Sequence, residues 1–209
     1  IKRVIFGQNI TGDIAATRLE SNSFGIDFGV YELEGSLNLT ANSVLALDFN
    51  GSTNSSITGK LTVEANLATV TNNIKVGGTI TLNDVGKDSW NEEIDGNTII
   101  IKDSNGATVV INGNPEDIKV TAGADGGINI TANSPVIITV DEGATVSSIT
   151  VNETALGTTI TNNGNIANVI ANSDIVIDNN SSDITIEGNG IVGGSGTITG
   201  NNIVTRLTD

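Results

Sequence analysis

The sequence predicts an all-β protein: a parallel β-solenoid (β-helix) with rungs of roughly 17–22 residues, within the range of repeat architectures. Three observations carry this. The chain holds 29 Ile and 18 Val beside many Thr, β-branched residues that suit a pleated, half-buried surface. It also holds 28 Asn and 25 Gly, which tolerate the left-handed backbone of tight corners. Short aliphatic strand cores recur mostly every eight to eleven residues, with turn residues between them. An antiparallel β-sandwich shares that spacing. It is less favoured because these strands are only three to five residues long and the Tyr and Trp anchors of a sandwich core are missing.

The elements follow in order. IKRVIF (1–6) reads as a strand, and DIAATRLE (13–20) as a short helix or another strand. Residues 1–34 hold Tyr31, two of the three Arg and all but one Phe, and are expected to be a distinct leading cap or interface segment. The solenoid is expected over 35–209, beginning with SLNL (36–39), VLAL (44–47), SIT (56–58), LTV (61–63), TVT (69–71), IKV (74–76) and TITL (79–82). Residues 83–97, with Asp84, Asp88, Glu92, Glu93, Asp95 and the only Trp, interrupt the pattern and read as an inserted acidic loop projecting from the rod.

Beyond it come TIII (98–101), TVVI (108–111), IKV (118–120), INI (128–130), VIITV (136–140) and SITV (148–151). TTI (158–160), NVI (168–170), IVI (175–177), ITI (184–186), GTIT (196–199) and IVT (203–205) complete the series. Like is expected to stack on like, one rung apart, in the pairs Ile138 and Ile160, Ile149 and Val169, and Ile177 and Ile198. Ile160 with Ile177 and Val169 with Ile186 repeat this at a shorter step. Ten such rungs make a rod roughly 50 Å long, with Asn ladders expected at its corners. The last residues keep strand character with no capping helix, so a bare edge is expected there.

Composition excludes several functions. With no His and no Cys there is no disulfide framework, no Cys- or His-based metal site and no His-dependent catalysis. Nine basic residues against 24 acidic ones leave a net charge of −15 and no basic face for nucleic acid. No run of 18 apolar residues is present to form a membrane-spanning helix. The chain starts at Ile1 with no visible signal peptide, so a leading segment is expected to have been removed, or the chain to be part of a longer one.

Units such as GATVSSITVNETALGTTITNNGNIANVIANSDIVIDNN (143–180) resemble the Asn/Thr/Gly-rich β-helical repeats of bacterial surface proteins, such as autotransporter passenger domains and S-layer-associated proteins. The resemblance covers 98–205 and, less clearly, 35–82. It implies export, an extracellular or cell-surface position, and a structural or adhesive role. The membrane barrel of an autotransporter and the anchoring domain of an S-layer protein have no counterpart in these residues.

Individual motifs give way to plainer readings, and no catalytic, cofactor-binding or metal-ligating residue is assigned. Asp174, Asp178, Asp183 and Glu187 lie on or beside neighbouring strands, as the carboxylates of solenoid glycosidases do. With no cationic partner nearby they read as solubilising surface residues. Ca²⁺ is the one metal ion that oxygen ligands alone could hold, in the acidic loop, but a block of like charge is more often solvated. AGADGG (122–127) and VGGSG (192–196) match no phosphate-binding pattern and read as corners. N-x-[ST] sequons at Asn9, Asn38, Asn50, Asn54, Asn129, Asn152, Asn179 and Asn180 are close to chance for so Asn-rich a chain. Thr158, Thr159, Thr161, Thr197 and Thr199 hint at an ice-type Thr array, but their spacing drifts. The expected function is a non-enzymatic structural subunit that self-associates end to end into an oligomer or polymer through exposed strand edges. The alternative is an adhesin or carbohydrate-binding solenoid recognising a glycan or host surface through its side face and the Trp90 loop.

Overall fold

The structure is a computed structural model and describes residues 2–17, 19, 22–83, 89–102, 106–123 and 127–200. Four three-strand rungs come first. They are β1 (Arg3–Ile5), β2 (Ile10–Thr11) and β3 (Ile14–Ala16); β4 (Ser23–Asp27), β5 (Glu32–Glu34) and β6 (Leu37–Thr40); β7 (Ala46–Asn50), β8 (Ser56–Ile57) and β9 (Leu61–Glu64); and β10 (Thr69–Asn72), β11 (Lys75–Val76) and β12 (Thr79–Asn83). Two-strand rungs follow: β13 (Ser89–Glu92) and β14 (Thr98–Lys102); β15 (Thr108–Ile111) and β16 (Asp117–Val120); β17 (Ile128–Ala132) and β18 (Ile137–Val140). They continue with β19 (Thr145–Val151) and β20 (Thr159–Asn162); β21 (Asn165–Ala171) and β22 (Ile175–Asn179); β23 (Ile184–Glu187) and β24 (Val192–Ser195); and β25 (Ile198–Gly200).

All pairing is parallel, and the sequence-based prediction of a parallel β-solenoid holds. A long sheet of eleven strands runs from β1 to β25, a second of ten from β3 to β24, and a short third sheet contains only β2, β5, β8 and β11. Ten interstrand steps of about 4.8 Å make the long sheet about 50 Å tall.

Side chains alternate in and out of each strand, so the pairing register stacks inward residues in rows. On the long sheet one row runs Phe24, Leu47, Val70, Trp90, Val109, Ile130, Ile149, Val169, Ile186. Facing it from the ten-stranded sheet is Leu37, Leu61, Ile80, Ile99, Ile118, Ile138, Ile160, Ile177. These residues are at most 3% exposed and form one continuous core.

The rungs shorten along the rod. On the long sheet the sequence step between register partners falls from 23 (Ser23 to Ala46) to 20 (Val70 to Trp90), then to 17 (Val169 to Ile186) and 14 (Ile184 to Ile198). Four of the five stacking pairs read from the sequence are register partners: Ile138–Ile160, Ile149–Val169, Ile160–Ile177 and Val169–Ile186. The fifth is corrected. Ile177 pairs with Gly194, and Ile198 belongs to the other sheet, opposite Ile184.

Three further readings are corrected. Residues 83–97 are not one projecting loop, because Ser89–Glu92 is a strand of the long sheet and Trp90 is 0% exposed. Residues 84–88 of that segment lie outside the described residues. Segment 1–34 is not set apart from the solenoid: β1, β2 and β3 are its first rung, and residues 14–16, read as helix or strand, are strand β3. Residues 192–195, read as a corner, are strand β24, where a Cβ on Gly194 would fall inside the Ile177 carbonyl. IVT (203–205) and the C-terminal edge lie outside the described residues.

Candidate functional site

The most distinctive polar arrangement lies where the third sheet stops. The second inward row of the long sheet runs Ile26, Phe49, Asn72, Glu92, Ile111, Ala132, Val151, Ala171. Two polar residues thus replace aliphatics at the fourth and fifth rungs, and both are 0% exposed. Asn72 sits at the end of β10, where its Oδ1 accepts the Ile74 N–H in a turn-type contact and its Nδ2 donates to the Ile74 carbonyl. The same Nδ2 lies 2.9 and 3.1 Å from the two carboxylate oxygens of Glu92.

Glu92 collects further donors. Trp90 Nε1 donates to Oε2 at 3.2 Å, Asn97 Nδ2 to Oε1 at 3.0 Å, and the Ile94 N–H to Oε1 at 3.2 Å. Asn97 also closes the third sheet. Its Oδ1 accepts the Val76 N–H at 2.9 Å and its Nδ2 reaches the Ile74 carbonyl at 3.2 Å, standing in for the strand that would follow β11. Lys75 at the same edge donates to the Asp95 and Gly96 carbonyls. Burial lifts the Glu92 carboxyl from the ordinary 4.5 to about 7, against the downward pull of Asn72, Asn97, Trp90 and the Ile94 N–H.

The cluster is legible in retrospect. Trp90 lies one rung step after Val70 and one before Val109, and alternation then turns both Trp90 and Glu92 inward. A second buried polar pair occupies the ten-stranded sheet, where Asn162 Nδ2 donates to Asn179 Oδ1 at 2.8 Å. Asn179 Nδ2 in turn reaches the Ser182 and Thr197 carbonyls.

The other sequence candidates are dispersed. Asp174 accepts the Ile191 N–H at a corner, and Asp178 accepts the Ser195 hydroxyl on the ten-stranded sheet. Asp183 and Glu187 are exposed, one just before β23 and one at its end on the long sheet, so the four carboxylates share no site. Of the acidic segment, Glu92 points into the core, Glu93 accepts Asn112 Nδ2 at 2.6 Å, and Asp95 accepts the Asn114 N–H at 2.7 Å. Asp84 and Asp88 lie outside the described residues. Among the described residues no three acidic side chains converge on a metal position. Thr158 is buried and bonds the Ala155 carbonyl, Thr159 and Thr161 lie on the ten-stranded sheet, Thr199 lies on the long sheet, and Thr197 lies in the turn before β25, so they form no single row. Trp90 is enclosed in the core and presents nothing to a partner. No helix among the described residues is long and apolar enough to cross a membrane.

Its stacked rungs and corners define this chain as an all-β parallel solenoid whose cross-section narrows from three faces to two. Compared with family models, curated proteins and solved structures, it matches none.

Proposed function

We propose that this chain is a non-enzymatic structural subunit of an extracellular or cell-surface assembly, such as a fibre, a surface layer or an adhesin stalk, whose rods join end to end by strand addition. The first rung supports this reading most directly. Among the described residues β1 is the outermost strand of the long sheet, and its residues are exposed, Ile5 at 69%. The Lys2 carbonyl and the Phe6 N–H bond to the β4 side, so the alternation of a parallel ladder turns the backbone groups of Arg3 and Ile5 outward. Such an edge is a template for another strand. The resemblance to Asn/Thr/Gly-rich surface repeats points the same way.

Negative-stain microscopy and sedimentation test the proposal. Filaments or sheets are expected from the wild-type chain. Dispersed rods are expected from Ile5→Pro, which removes an outward N–H and spares the β1–β4 bonds. Single rods of wild type at high concentration would refute it.

A solenoid that recognises a glycan or host surface is the second reading, and one observation favours it. From β10 through β21 the outward residues of the long sheet include no charged side chain, in a chain of net charge −15. The ten-stranded sheet, by contrast, bears Glu64, Lys102, Asp117, Lys119 and Asp178.

A further inference from the structure

We infer, resting on the reading of this chain as a glycan-recognising solenoid, that the corner leading into β19, β21 and β23 binds an uncharged glycan chain laid along the rod axis. Successive turns at 142–145, 163–165 and 180–182 line an open groove of about 820 Å³ there, within the size range of ligand clefts. Small residues keep it open. Ala144 and Gly164 are buried in it, and a Cβ on Gly164 would fall on the Asp141 carbonyl.

The polar groups along the groove are held in place. Thr145 and Asn165 are register partners at the starts of β19 and β21. Asn180 Nδ2 donates to Asn163 Oδ1 at 3.0 Å, and Ser182 Oγ donates to Asn165 Oδ1 at 3.1 Å. Each bond ties one rung to the next and leaves the other end of the amide over. Asn163 Nδ2, Asn165 Nδ2 and Asn180 Oδ1 have no partner among the described residues. Polar groups thus recur at the rung spacing of about 4.8 Å along the axis. A ligand that uses them loses less ordering entropy, because the ladder already fixes the side chains. A row of amides and hydroxyls suits the hydroxyl groups of a sugar chain, which both donate and accept.

Charge decides which sugar chain fits. Among the described residues Glu142 is the one charged side chain lining the groove. Lys119 is paired with Asp141 at 3.2 Å, and no Lys or Arg occurs from 120 to 205. An anionic glycan therefore meets Glu142 and a chain of net charge −15, with no cation to hold it. A cationic ligand finds a single exposed carboxylate, which in water holds an ion weakly. Thr145 and Asn165 carry the groove onto the long sheet, where β19 and β21 bear no charged residue. No aromatic ring lines it, so one site is expected to bind weakly, on the order of 1 mM.

Nuclear magnetic resonance titration of the ¹⁵N-labelled full chain tests the assignment. The probes are uncharged oligosaccharides of glucose, mannose, galactose and N-acetylglucosamine, with a heparin oligosaccharide as the anionic contrast. An uncharged probe is expected to shift the side-chain amides of Asn163, Asn165 and Asn180, and heparin to leave them in place. Asn163→Ala combined with Asn180→Ala is expected to weaken binding about 5–100-fold, the loss of two hydrogen bonds. Should that double variant fail to fold, Ser181→Trp, at an exposed position lining the groove, is expected to block it. Binding that shifts only residues elsewhere, or that survives the variants unchanged, overturns the groove and leaves the glycan reading standing, as does binding of heparin alone. No response to any probe overturns both.

Discussion

Replacing Asn97 by Ala removes the side chain that ends the third sheet. The amide makes three buried bonds: from the Val76 N–H, to the Ile74 carbonyl and to Glu92 Oε1. Alanine restores none of them: the Val76 N–H loses its partner at a site that is 0% exposed, while the Ile74 carbonyl keeps Asn72 Nδ2 and Glu92 Oε1 keeps Asn72 Nδ2 and the Ile94 N–H. An orphaned buried N–H costs about 1–3 kcal/mol and each of the other two lost bonds about 0.5–1.5, so the variant should lose about 2–6 kcal/mol. That is a large share of the roughly 5–15 kcal/mol available to an ordinary domain. The assay is urea unfolding at pH 6, followed in parallel by circular dichroism and Trp90 emission. Because Trp90 belongs to the cluster, its transition should precede the global one, as β11 and β13 open before the outer rungs. Asn97→Asp provides the control. It keeps an acceptor for the Val76 N–H but sets a second carboxylate against Glu92, so its deficit should grow as pH rises. A loss below about 1 kcal/mol for Asn97→Ala, with coincident transitions, would show that the third sheet ends for some other reason.

Three further outcomes are expected. Ile118→Ala, between Ile99 and Ile138 in the buried row, should cost about 2–5 kcal/mol in denaturant unfolding, whereas Ile137→Thr, half-exposed on the same sheet, should stay within about 0.5. Gly194→Ala should disrupt the pairing of β22 with β24, because the added Cβ meets the Ile177 carbonyl and the residue sits at φ +136°. Hydrogen exchange should then show lost protection over 175–195 and unchanged protection before β13. Lys119→Ala breaks a 3.2 Å pair with Asp141 between partly exposed groups and should cost less than about 1 kcal/mol, less still in high salt.

How much of this was readable from the chain depends on what each rung puts inside. Where an aliphatic occupies the inward position, the step is plain: Ile138, Ile160 and Ile177 announce their own register. Where glycine occupies it, the pattern skips a rung. Gly194 stacks on Ile177 with no side chain to mark the strand, so the spacing leaps to Ile198, which belongs to the opposite sheet. The third sheet is faint for another reason, since β2, β8 and β11 are two residues long and alternation cannot be read from two residues. At β13 two signals conflicted. Acid content argued for a solvated loop, while the spacing from Val70 and to Val109 argued for a strand, and packing decided for the strand.

Both buried polar pairs fall where the rungs change length. Asn72 and Glu92 stack at the pairing of β10 with β13, where the step drops from 23 (Thr69 on Ala46) to 20 (Trp90 on Val70). Asn162 and Asn179 stack at the pairing of β20 with β22, where it drops from 22 (Ile160 on Ile138) to 17 (Ile177 on Ile160). A shorter rung turns its corner earlier and leaves corner N–H and carbonyl groups facing the core, where an aliphatic side chain cannot bond them. Asparagine can: Asn72 serves the Ile74 amide and carbonyl, and Asn162 accepts the Gly164 N–H. Between those positions the second inward row of each sheet is aliphatic, Ile111, Ala132 and Val151 on one and Leu82, Ile101, Val120 and Val140 on the other. Inward polar residues on the strands of this solenoid therefore accompany changes of cross-section, and Glu92 is the one carboxyl group among the two pairs.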